Sequence, residues 1–125
     1  MGRTLLLSLA VLAAPVPASA QAANGDAGRG QRVFQRCFAC HSVVPGEIGL
    51  PGPNLFGIVG RRAGWQEGFE YSDALRRSGL VWDEHALDAL IVDPSRFLPG
   101  TLMAMPGLEE EADRRDVIAY LKAQR

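Results

Sequence analysis

The chain has 125 residues, 47% apolar and 22% charged, with a formal net charge of −1. This balance excludes a disordered or fibrous chain and describes one ordinary globular domain. With 13 basic against 14 acidic residues, no basic field points to nucleic acid.

In chain order, the first feature is a leader. Met1-Gly2-Arg3 is a short basic start, Leu5 to Ala14 an apolar run, and Ala18-Ser19-Ala20 a small-residue cleavage site. This is the layout of a secretory signal peptide. The run is shorter than the roughly 20 residues that span a bilayer, so we expect no stable membrane insertion. Cleavage after Ala20 divides the chain into a leader over 1–20 and one domain over 21–125, destined for an exported, periplasmic location. Without Arg3 the domain carries 12 basic and 14 acidic residues.

A first helix is expected to about Arg36, with Asn24 or Asp26 placed to cap it and Val33 and Phe34 on its apolar edge. Gly28 and Gly30 weaken it by about 1 kcal/mol each relative to Ala, so something is expected to pack against its backbone. The stretch Arg36 to Ser42, RCFACHS, then holds the only two cysteines, Cys37 and Cys40, with His41 directly behind. A disulfide is the first expectation for an exported chain, yet a Cys-x-x-Cys bridge closes too small a loop to staple a fold.

From Val43 to Gly64, glycines and prolines recur without periodicity, the mark of turns and a long ordered loop. Such loops are uncommon in compact domains unless something organises them. Ser72 opens a short helix that Gly79 stops. Asp83 starts another, DEHALDALIV, ended by Asp93-Pro94, and FLPGTLMAMPG reads as loop. The last helix, EEEADRRDVIAYLKAQR, is acidic at its start and basic at its end, as the helix dipole favours. Val117, Ile118, Tyr120 and Leu121 form its apolar stripe. No β pattern exceeds a few residues. Three or four short helices and two long loops bury little surface alone, and a large apolar cofactor would supply the missing core.

Cys-x-x-Cys-His is the attachment signature of c-type haem: each thiol adds to a vinyl group and the adjacent histidine binds iron. Two other readings compete. A thioredoxin-type dithiol calls for a βαβ setting that this chain lacks. A zinc site requires a fourth ligand beyond Cys37, Cys40 and His41, which only His85 or a carboxylate can provide.

The chain resembles the class I cytochromes c, the family of mitochondrial cytochrome c and its periplasmic bacterial relatives. The resemblance is carried by Gly30 with Phe34, CFACH at 37–41, GPNLFGIVGRRAG at 52–64, YSDAL at 71–75, Trp82, Pro94, PGTLM at 99–103 and DVIAYLK at 116–122. It implies an all-α, cytochrome c-like fold of three to five short helices and ordered loops around one haem c, attached through Cys37 and Cys40. It makes Met103 the distal iron ligand opposite His41, a soft thioether that raises the reduction potential, and leaves Met105 as core filler. It makes the Pro53 carbonyl the acceptor of the His41 ring N–H. Tyr71, Trp82 and Arg61 become the groups that hydrogen-bond or neutralise a buried propionate. Gly30 and Phe34 should meet Val117 and Tyr120 where the first and last helices cross.

With both axial positions filled there is no open iron site, so the expected function is one-electron transfer and not enzymatic catalysis. The implied protein is a monomeric carrier with transient redox partners, whether a membrane cytochrome complex, an oxidase, a reaction centre or a dehydrogenase. A cytochrome dedicated to one dehydrogenase or oxidase is an alternative, as is a haem enzyme or sensor in which Met103 dissociates. The chain departs from its mitochondrial relatives where they carry lysines around the haem edge. Here stand Ile48, Leu50 and Leu102, with Glu109-Glu110-Glu111 in place of a lysine run, so an apolar docking face flanked by acid is expected. Leu90 and Leu75 replace a tyrosine and an asparagine of the distal pocket.

Overall fold

The computed structural model describes residues 12–15 and 23–125. Apart from 12–15, the leader and its cleavage point lie outside the described residues. The remainder forms five α-helices: α1 Ala27–Val33, α2 Asp73–Ser78, α3 Glu84–Val92, α4 Pro94–Phe97 and α5 Glu111–Ala123. A 3-10 turn over Phe34–Arg36 extends α1. Among the described residues the only β feature is an isolated antiparallel bridge between Arg62 and Val81.

Side-chain caps set where most of these helices begin. The Asp26 carboxylate accepts the Arg29 N–H at 2.7 Å, so Asp26 and not Asn24 caps α1. Ser72 and Asp83 cap α2 and α3 in the same way, satisfying amides that have no partner inside the helix. Gly79 closes α2 in the left-handed conformation. Helix α4 is an addition to the sequence reading, which ran loop through this region. Asp93 ends α3 and at once accepts the Arg96 N–H at 3.1 Å, while Pro94, its φ already helical, takes the first position.

α1 and α5 pack across each other and form the main helix pair. Gly30 lies at the crossing, where an added Cβ would collide with the Asp116 carbonyl. At Gly28 the same atom would meet only the Asp26 carboxylate, at 3.2 Å. Of the two helical glycines, therefore, only Gly30 serves a close backbone approach. Phe34 and Tyr120 stack obliquely beside the crossing, ring centroids 5.3 Å apart.

One charge is buried in this crossing. Asp116 is 5% exposed, and its carboxylate accepts the Asp26 backbone N–H at 2.6 Å and the Arg29 guanidinium at 2.7 and 3.1 Å. These bonds, the Arg29 one foremost, hold the carboxyl below the usual carboxylate range. Arg114 ties the start of α5 to α3 by donating to Asp88 at 2.8 Å and to the Leu108 and Glu109 carbonyls.

The glycine-rich loop is fastened at its far end. The Gly57 N–H donates to the Gln124 carbonyl at 2.7 Å, and Gly60, Arg61 and Ala63 exchange backbone hydrogen bonds with Trp82 and Leu80. Trp82 thereby enters the core, packed with Ile58, Leu87, Ile91, Leu108 and Val117.

Candidate functional site

The 3-10 turn after α1 delivers the cysteine motif. The Cys37 N–H bonds to the Phe34 carbonyl at 2.8 Å, and the N–H groups of Cys40 and His41 both return to the Cys37 carbonyl at 3.0 and 2.9 Å. Residues 37–41 are thus one further turn of coil, and Cys37, Cys40 and His41 all line one cavity of about 540 Å³. That volume falls within the roughly 300–1,000 Å³ of small-molecule sites. Both cysteines are free thiols, and burial pushes the Cys37 thiol above its ordinary pKa.

His41 is 8% exposed, and its Nδ1 lies 2.7 Å from the Pro53 carbonyl oxygen. A carbonyl only accepts, so Nδ1 carries the proton and Nε2 keeps the lone pair. Burial lowers the His41 pKa, opposed by the Pro53 bond, which favours the neutral, ligand-competent imidazole. The approach of the loop to the ring requires glycine at 52, where a Cβ would stand 2.5 Å from His41 Cε1 and 2.7 Å from Nδ1.

Met103 lines the same cavity, from the segment that follows α4. The Pro99-Gly100 turn and a bond from the Met103 N–H to the Thr101 hydroxyl at 3.2 Å shape that segment. Met105 also lines the cavity and packs against the core. Leu75 and Leu90 complete the apolar lining beside them.

Trp82 and Tyr71 are buried cavity residues. The Tyr71 hydroxyl accepts the Gln66 N–H at 3.1 Å, which leaves its proton available to a guest. Burial raises its pKa, so the phenol stays protonated. Arg61 is not on the cavity wall. Its guanidinium stacks 3.9 Å over the Trp65 ring, and Trp65 lines the cavity, so Arg61 stands one layer behind.

His85 is exposed, in a separate groove beside α3 and α5 that also holds Glu111. The glutamate triplet therefore does not flank the cavity through Glu111, which is engaged with Arg115 at 2.6 Å. Among the described residues no group of three or more His, Cys, Asp or Glu is placed to hold a metal ion. Among the described residues no strand precedes the cysteines, so the βαβ setting of a redox dithiol is missing there.

The residues fit a haem: two free thiols for its vinyl groups, a neutral imidazole, a soft thioether, and a wall that is otherwise mostly aromatic and aliphatic. Sequence reasoning missed Asn54, Trp65 and Gln66. Asn54 lay inside the GPNLFG stretch and has the polar side chain of a turn organiser. Gln66 carried no signal, since its side chain bonds a backbone amide twelve positions away.

Residues 27–125 match the family model described as cytochrome c. Cytochrome c2 of Rhodoblastus acidophilus is 50% identical over 97 residues, covering 78% of this chain and 91% of its own. Cytochrome c2 of Blastochloris viridis is 46% identical over 121 residues, 96% of this chain and 92% of its own. Among solved structures, cytochrome cH from Methylobacterium extorquens superposes with a TM-score of 0.73 at 43% identity, covering 78% of this chain and 98% of that one.

Proposed function

Because the chain belongs to the cytochrome c family, it is an electron carrier with one covalent haem c, and we propose that Cys37 and Cys40 attach the haem while His41 and Met103 ligate its iron. The observation that carries this assignment is that all four side chains, from two distant stretches of sequence, line one apolar cavity. When bound, the haem supplies reversible one-electron chemistry at an iron whose potential reflects ligands, burial and hydrogen bonding.

The chain's own groups prepare that site. His41 presents Nε2 because Pro53 holds the Nδ1 proton, and the packed loop keeps the ring from turning. Tyr71 and Trp82 offer polar hydrogens inside a largely apolar wall. Arg61 adds positive charge from behind Trp65.

The leader over 1–20 supports export to the periplasm. No helix among the described residues is long and apolar enough to cross a membrane. Partners are transient redox proteins, and Leu102 offers them an apolar contact, since it lines the cavity yet is 74% exposed; Ile48 and Phe38, outside the lining, are exposed at 73% and 62%. The single lysine, Lys122, is engaged elsewhere with Glu84 on α3. Mass spectrometry of the exported protein tests the assignment: the expected species starts at Gln21 and carries one haem, and Met103→Ala must alter its visible spectrum. An unmodified polypeptide mass, or an unchanged Met103→Ala spectrum, refutes it.

A further inference from the structure

The peptide group between Pro53 and Asn54 is hydrogen-bonded at both ends. Its carbonyl oxygen accepts from His41 Nδ1 at 2.7 Å, and its N–H, on Asn54, donates to the side-chain oxygen Oε1 of Gln66 at 2.7 Å. The Gln66 backbone N–H in turn donates to the Tyr71 hydroxyl at 3.1 Å. Gln66 thus joins the peptide behind His41 to a phenol on the cavity wall.

The rest of the segment is held independently of Gln66. The Gly52 N–H bonds to the Cys40 carbonyl and the Leu55 N–H to the Ser42 carbonyl, both at 2.8 Å. Buried Asn54 holds the Val44 and Glu47 carbonyls through its amide nitrogen at 2.7 and 2.8 Å, and accepts the Phe56 N–H at 2.7 Å. Loop position is therefore over-determined, and the Gln66 acceptor adds polarisation more than placement. An amide that donates at its N–H becomes a better acceptor at its C=O, because hydrogen bonds in series strengthen one another by about 10–30% per bond. A stronger acceptor draws the Nδ1 proton further from the ring and makes the imidazole a stronger donor at Nε2.

We propose that Gln66 is a positioning residue for the metal centre, setting the donor strength of His41 through the Pro53–Asn54 peptide. The proposal rests on His41 being the iron ligand. Loss of the Gln66 acceptor weakens the Pro53–His41 bond, destabilises the ferric state and raises the reduction potential. A stronger acceptor at 66 does the opposite.

The experiment compares wild type, Gln66→Leu and Gln66→Glu as haem-loaded protein, reading the His41 Nδ1–H proton resonance in the ferrous state and the midpoint potential by redox titration. The expected result is an upfield shift and a higher potential for Gln66→Leu, and a downfield shift and a lower potential for Gln66→Glu. An Nδ1–H resonance that stays put in both variants overturns the proposal, as does movement in the same direction in both, the signature of simple loosening. If Gln66→Leu does not accumulate, the direction of the Gln66→Glu shift decides alone. Wild type lacking an iron-bound imidazole signal would instead overturn the ligand assignment, so the two failures are distinct.

Discussion

Gly30 of α1 lies against the backbone carbonyl of Asp116 in α5, with no room between them for a single methyl group. Gly30→Ala therefore forces the helices apart and is expected to lower stability by about 1–3 kcal/mol, the usual range for overpacking. Gly28→Ala, two residues away and clear of the crossing, should be neutral or stabilising by up to about 1 kcal/mol. Denaturant midpoints of the two haem-loaded variants check the contrast.

Asp116 makes the same crossing sensitive to acid. Its folded pKa lies below the unfolded value of about 3.9, chiefly through Arg29. As pH falls, the unfolded chain takes up the proton first, so the stabilisation is fully present above pH about 4 and is lost as pH drops through the lower, folded pKa. The urea midpoint of wild type should fall across that window. Asp116→Asn should be less stable near pH 7 and show a shallower decline in acid.

Met103 and Met105 line one cavity, but the family resemblance distinguishes them. Met103→Ala should change the visible spectrum and allow added imidazole to bind. Met105→Ala should leave the spectrum in place and cost about 2 kcal/mol, the low end for a truncated core methionine, since it is only partly buried. Parallel absorption spectra and denaturant curves separate the two roles.

Removing the haem should abolish the cooperative fold. At about 24 cal/mol per Å³, an unfilled void of about 540 Å³ costs about 13 kcal/mol as an upper bound, comparable to the 5–15 kcal/mol by which whole domains are stable. The double variant Cys37→Ala, Cys40→Ala, purified without haem, should show weak helical dichroism and no sharp thermal transition.

Exposed apolar side chains predict weak dependence on salt. Charge-steered encounters slow steeply as ionic strength rises, whereas contacts through Leu102, Ile48 and Phe38 lose little. Reduction by the native partner, followed by stopped flow between low and high salt, should vary modestly. A steep decline would show that charge steers the encounter instead.

The site was legible in the sequence because covalent attachment demands fixed spacing. Cys37, Cys40 and His41 must occupy one turn, and that constraint is local. Caps at Ser72 and Asp83 were legible for the same reason, since each bonds an amide three residues on. Helix α4 escaped because four residues leave no periodicity, and only Asp93 as a cap with Pro94 behind it marks the start. Asp116 read as one more charge on an acidic-to-basic helix, its partners being 87 and 90 positions away. Gln66 was silent because it acts on a backbone amide, which carries no side-chain identity to recognise.

The contact between Asp26 and Asp116 spans 90 positions and also orders events in the life of the chain. The helix that precedes the cysteines has its main packing partner almost a whole domain downstream, so it cannot settle until α5 has been synthesised and delivered. Closure of α1 on α5 therefore needs both ends of the domain to be present.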